Sequence, residues 1–193
     1  MRVETETKVN LTSGGYNINP TNEISKEALV AFQEATNSLA GASYEPLILV
    51  GTQVVSGTNY KYIALISTIT RNQKKKIVEM EIYKPITGKA MIKEGTTKEL
   101  VSEATGLGAW KITALDEKIP SEVMTAADNY FSQIDGVGYK PLMYVAKQSV
   151  SGTNYMLYYK TTTVSPRQKY GLSSVVLYQD FSGNISTPSI TPL

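Results

Sequence analysis

The residue types that usually do covalent chemistry are scarce in this chain of 193 residues. It has no Cys and no His, which removes disulfides, a thiolate nucleophile, thiolate metal sites, and the commonest general base and transition-metal ligand. Glu79 and Glu81 lie two apart on an expected strand and so share a face, the placement that acid/base work would need, but such pairs are ordinarily solvated. Arg71, Lys74, Lys75 and Lys76 form a basic turn that Arg167 and Lys169 only echo. The formal net charge is +2, with 12 basic and 10 acidic residues before position 101 and 7 of each from there on. With no aromatic ladder beside the cations, this is no nucleic-acid footprint. Gly106-Leu107-Gly108 and Gly136-Val137-Gly138 do not lie between a buried strand and a helix it opens, so neither is a phosphate loop. The expectation is a protein that works by binding: not an enzyme, with no catalytic residue, metal or cofactor, and with no nucleic-acid or membrane partner.

What the chain does carry is a repeated octamer. Gln53-Val54-Val55-Ser56-Gly57-Thr58-Asn59-Tyr60 returns as Gln148-Ser149-Val150-Ser151-Gly152-Thr153-Asn154-Tyr155, and Tyr83 with Tyr178 and Gly88 with Gly183 keep the same separation of 95 positions. A register held over such a distance marks a duplicated unit. Turn chemistry explains the Ser-Gly; it restricts the Gln and the Val beside it less. Gly57 accepts positive φ and allows close backbone approach, Val54 and Val55 offer apolar area, and Gln53 offers both donor and acceptor groups.

The elements that position the octamer are legible. Each unit opens on a Gly-rich segment, Ser13-Gly14-Gly15-Tyr16 or Thr105-Gly106-Leu107-Gly108-Ala109-Trp110, and Trp110 is expected to be partly buried. A helix follows. Ala28, Phe32, Ala35 and Leu39 fall on one helical face, as do Val123, Ala127, Tyr130 and Ile134. Large and small residues exchange across it, Phe32 against Ala127 and Ala35 against Tyr130, which keeps total core volume. Pro120 fits the first helical turn, and Gly41 and Gly136 the helix ends. Strands are expected over 44–55, 58–70 and 76–83, with counterparts over 139–150, 153–164 and 171–178, joined by hairpins at Ser56-Gly57 and Ser151-Gly152. The turns Lys84-Pro85-Ile86-Thr87-Gly88-Lys89 and Gln179-Asp180-Phe181-Ser182-Gly183-Asn184 each lead to a short last strand.

Composition fits ordinary globular domains: 41% hydrophobic and 19% charged residues. The boundaries read as 1–94 for the first domain, 95–104 for a linker and 105–193 for the second. No apolar run is long enough to span a bilayer, and the start, Met1 to Lys8, lacks the apolar centre of a signal peptide. A chain that is full-length is therefore expected in the cytoplasm.

In these motifs the chain resembles the cystatins, inhibitors of papain-like cysteine proteases. The likeness covers nearly the whole chain as two tandem copies. It rests on a long helix followed by strands, on Gln-x-Val-x-Gly in the first hairpin of each unit, and on Lys-Pro in the second hairpin of the first. It implies an α+β fold of two tandem cystatin-like domains, each a long helix packed on a four- to five-stranded antiparallel sheet. It further implies a wedge of three segments that fills a protease cleft. In the first unit these are Gly14 or Gly15, then Gln53, Val54, Val55, Ser56 and Gly57, then Pro85 and Ile86. In the second they are Gly106 or Gly108, then Gln148, Ser149, Val150, Ser151 and Gly152, with Phe181 in the last turn. The family has Pro-Trp where this chain has Pro85-Ile86 and Asp180-Phe181, so the second wedge is expected to be the weaker. The implied partner is a papain-like protease, inhibited reversibly. The alternative is a non-inhibitory protein-binding or adhesion module, and matched strands also allow a domain-swapped homo-oligomer.

Overall fold

Tyr62-Ile63-Ala64-Leu65-Ile66 is an unbroken apolar run in which every residue is buried. Side chains on a strand alternate between faces, so such a run requires a sheet covered on both sides. The computed structural model describes residues 14–193; the segment Met1 to Lys8, read above for a signal peptide, lies outside the described residues.

The chain order is β1 (Asn17–Thr21), α1 (Lys26–Thr36), β2 (Ala42–Val55), β3 (Gly57–Thr68), β4 (Lys75–Pro85), β5 (Met91–Ile92), β6 (Lys98–Ser102), β7 (Trp110–Ile112), α2 (Ser121–Phe131), β8 (Val137–Val150), β9 (Gly152–Thr163), β10 (Tyr170–Gln179) and β11 (Ser189–Pro192). The first sheet has the order β1-β2-β3-β4-β5, with β6 also paired to β4; the second has the order β11-β10-β9-β8-β7. All pairings are antiparallel. The duplication extends to irregularities. Register shifts after Pro46 and Leu49 recur after Pro141 and Tyr144.

Three apolar cores stack in series. Ala28, Phe32 and Ala35 of α1 pack on Tyr62, Met80 and Ile82 of the first sheet, and Val123, Ala127 and Phe131 of α2 pack on Leu157, Tyr159 and Leu177 of the second. Between them the two sheets meet face to face, with Ile48, Ile63 and Leu65 against Leu142, Val145 and Tyr158. The helices cover the two outer faces.

The α+β arrangement expected from the sequence, a long helix on each of two cystatin-like sheets, is therefore corrected. Half of the structure is strand and 12% is helix, and the fold is mainly β. Each helix has only 11 residues, against 14 in β2 and β8. Both stop short of the expected face. α1 ends at Thr36, where the Thr36 hydroxyl donates to Phe32 O at 2.8 Å, and Leu39 lies in the following turn, exposed. α2 ends at Phe131, before Ile134. The helix caps are Asn37 and Ser132 in ordinary right-handed conformation. Gly41 and Gly136 instead stand where β2 and β8 begin, and their carbonyls accept from Ile69 N and Val164 N. Pro120 sits at the N-cap of α2, just before the first turn.

The aromatic exchange between the units also differs from the expected one. Phe131, at the position matching Thr36, stacks on Tyr139 at a centroid distance of 4.3 Å. In the first unit Phe32 meets Tyr62 edge-on at 5.1 Å. The large ring has moved one helical turn between copies, with core volume held by Tyr159 where the first unit has Ala64. Residues 95–104, read as a linker, contain β6, which extends the first sheet beside β4.

Candidate protein-binding edges at the two hairpin tips

β2 and β3 form a hairpin whose tip is Val55-Ser56-Gly57, and Gly57 pairs with Val55 on one side and Pro85 on the other. The turn after β4 thus lies beside the turn after β2. Gln53 joins the third segment: its Nε2 donates to Gly14 O at 2.8 Å while its Oε1 accepts from Asn59 Nδ2 at 2.6 Å. Asn59 is buried, so its amide has a use for that acceptor. Gly14, the Val54–Gly57 turn and Pro85-Ile86 are brought into one row.

Two further contacts fix this row. The Tyr83 hydroxyl donates to Ser56 O at 2.5 Å, tying the neighbouring turns together. Lys84 Nζ lies 2.6 Å from Glu34 Oε2 and donates to Gly88 O at 2.9 Å, and the same carboxylate accepts from Ala90 N at 3.0 Å. Lys84, and then the Ala90 N–H, hold the Glu34 carboxyl below its usual value of 4.5. The second turn is anchored to α1.

Gly57 has no alternative. Its φ is +132°, and a Cβ there would run into Lys84 O and come within 2.9 Å of the Tyr83 ring. No side chain fits. Gly15, by contrast, has open space around it.

The second unit repeats the device. Gln148 Nε2 donates to Gly108 O at 2.7 Å and Gln148 Oε1 accepts from Asn154 Nδ2 at 2.7 Å. Gly108, rather than Gly106, is the residue that Gln148 holds, one position off the 95-residue register, which would match Gly14 with Ala109. The Tyr178 hydroxyl donates to Ser151 O. Gly152 has φ +138°, with Gln179 O where a Cβ would go. The last turn is built differently: Asp180 Oδ1 accepts from Ser182 N at 2.8 Å and Asn184 N at 2.9 Å. Asn184, followed by burial acting the opposite way and by the Ser182 N–H, leaves the Asp180 carboxyl below its usual range. This closed turn presents Phe181.

Both tips expose apolar side chains. At the first, Val54, Val55 and Ile86 are 43%, 42% and 82% exposed; at the second, Val150 and Phe181 are 42% and 86% exposed, and Leu107 is fully so. Ser149 stands where the first tip has Val54. Leu107, Tyr83, Tyr178, Asn59 and Asn154 belong to these edges although sequence reasoning gave them no such part. The shared separation of Tyr83 and Tyr178 from the octamer was the available signal.

The other charged constellations are ion-paired. Glu81 lies 3.5 Å from Lys61 and 2.8 Å from Lys93, and Lys61 lies 3.8 Å from Glu79. Burial pushes the Glu81 carboxyl up, but the hydrogen bond from Lys93 and the charges of Lys93 and Lys61 pull it below its usual value. An ionised, paired carboxylate is a poor proton donor. In the basic turn, Lys75 pairs with Asp116 at 3.3 Å and Lys76 with Glu99 at 3.8 Å. Among the described residues no three acidic groups converge as a metal site, and no helix is long and apolar enough to cross a membrane.

Comparison with known proteins yields no family model, no curated protein and no solved structure that matches this chain.

Proposed function

We propose that this protein is a reversible inhibitor of papain-like cysteine proteases that seats a hairpin tip in the active-site cleft. The observation that carries the reading is the row of three backbone segments at each tip, two clamped together by a Gln side chain and the third tied in by a Tyr hydroxyl, topped by exposed apolar residues. A preformed row costs little ordering entropy on binding. Burying side chains such as Ile86 and Val55 contributes up to about 1.5–3 kcal/mol each.

The same geometry accounts for inhibition without cleavage. A substrate offers an extended carbonyl in near-attack geometry. The tip offers a tight turn whose Ser56 carbonyl is already engaged by Tyr83, and whose Gly57 is held in the ladder between Val55 and Pro85. Neither is free to adopt the extended form.

One observation favours a second reading, a non-inhibitory protein-binding or adhesion module. Gln53 and Gly57 both have uses inside the fold, so their repetition requires no protease. Titration of papain with the purified chain separates the two. The inhibitor reading expects stoichiometric, reversible loss of activity with the chain left intact; unchanged papain activity favours the binding module.

A further inference from the structure

The two tips lie at opposite ends of the stacked sheets. Three contacts between the sheets establish the direction. Asn19, on β1 next to the residue paired with Gly51, meets Lys160, which pairs with Lys140. Farther from the first tip, Asn22 Nδ2 donates to Leu142 O at 2.9 Å. Farther still, Glu103 accepts from Lys75 N at 3.3 Å and from Ile112 N at 3.0 Å, and Ile112 pairs with Ala146. Moving away from the first tip thus moves along β8 from Lys140 through Leu142 to Ala146, toward the second tip at Val150. The sheets are stacked head to tail, and the tips are roughly 45 Å apart at ~3.3 Å per strand residue.

The bodies are not joined by a flexible tether. Ile63, Leu65 and Ile77 of the first sheet share a buried core with Leu142, Val145 and Tyr158 of the second. A partner seated on one tip extends away from a partner seated on the other, so neither blocks its counterpart. The two locked rows have the same hydrogen bonds, to Gly14 and Gly108, from Gln53 and Gln148, so they suit the same class of cleft.

We infer that one chain holds two papain-like protease molecules at once, one at each end, as a rigid bridge. This rests on the inhibitor reading. The wild-type chain, saturated with papain, should sediment as a complex of one chain with two enzymes. Val55→Asp with Ile86→Asp, all at exposed positions, should leave one enzyme per chain, held by the second tip. Val150→Asp with Phe181→Asp should likewise leave one, held by the first, and all four changes together should leave none. Circular dichroism unchanged from wild type assigns each loss to the tip rather than to the fold. A saturated wild-type complex of one enzyme per chain would overturn the bridge and leave the inhibitor reading standing. Absence of any complex would overturn both.

Discussion

Gln53 holds Gly14: its Nε2 donates to the Gly14 carbonyl at 2.8 Å across 39 positions of sequence. The residue that marks the repeat most distinctively is thus the clamp that brings the N-terminal segment to the hairpin, and its other amide atom serves the buried Asn59. Gln53→Ala should release Gly14 and leave Asn59 short of an acceptor. Leaving a buried polar group unsatisfied costs about 1–3 kcal/mol. Urea unfolding should show a loss in that range, and papain inhibition should weaken beyond it because one segment of the row is freed.

Gly57 is a structural requirement before it is a contact. Gly57→Ala forces a Cβ toward Lys84 O at φ +132°, and strain of this kind costs on the order of 1–3 kcal/mol. Its Tm should fall, so a loss of inhibition in that variant would not locate the binding surface. Ile86→Asp, at a position 82% exposed, should leave Tm within a degree or two of wild type, at the scale of about 2–4 °C per kcal/mol for a body of this size. It should weaken inhibition at the first tip by about 100-fold or more, since burying an unpaired charge costs several kcal/mol.

Cutting the chain between the sheets should uncover apolar surface. A fragment of residues 14–104 would present Ile48, Ile63 and Leu65 to water, all buried in the intact chain. Each such side chain contributes about 1.5–3 kcal/mol when buried. The fragment should self-associate at micromolar concentration in sedimentation velocity, and mixing it with residues 105–193 should restore a one-to-one complex. A stable, monomeric 14–104 fragment would show that the shared core contributes little.

Stability should be indifferent to pH near neutrality and fail in acid. With no His and no Cys, no side chain has its ordinary pKa between about 5 and 8. Glu34, Glu81 and Glu117, the last paired with Lys147 at 2.7 Å and Lys111 at 3.6 Å, are held below 4.5 and Asp180 below 3.8 in the folded state. A depressed carboxylate stabilises the fold fully above its unfolded pKa, and that contribution is lost as pH falls through the folded one. Tm should be level from pH 5.5 to 8 and drop progressively below about pH 4.5. A change of slope between pH 6 and 7 would contradict this assignment.

The hairpins, the turn glycines and the repeat are local features, set by turn chemistry and by alternation along one strand, and these were readable in the residues. The stacking of the sheets is a relation between distant segments, and its local sign is Tyr62-Ile63-Ala64-Leu65-Ile66: a strand with apolar residues on both sides needs a second layer, and one helix covers one face. Helix length was overestimated because Leu39 and Ile134 fit the helical spacing, whereas spacing says nothing about where the chain leaves the helix. Lys98 to Ser102 read as linker because a five-residue edge strand is fixed by its partner β4, not by its own composition. Tyr83 was placed in the repeat register, but its hydroxyl's reach to Ser56 depends on two hairpins lying side by side, a relationship between distant segments that residue spacing does not contain.

The most direct test is titration of active papain with the wild-type chain, following residual activity and the integrity of both proteins. The account predicts loss of activity in proportion to added chain, recovery of activity on dilution, and an uncut chain afterwards, with the effect abolished when Val55, Ile86, Val150 and Phe181 are all replaced by Asp. Full papain activity throughout the titration, or steady cleavage of the chain within the Val54–Gly57 turn, would contradict it.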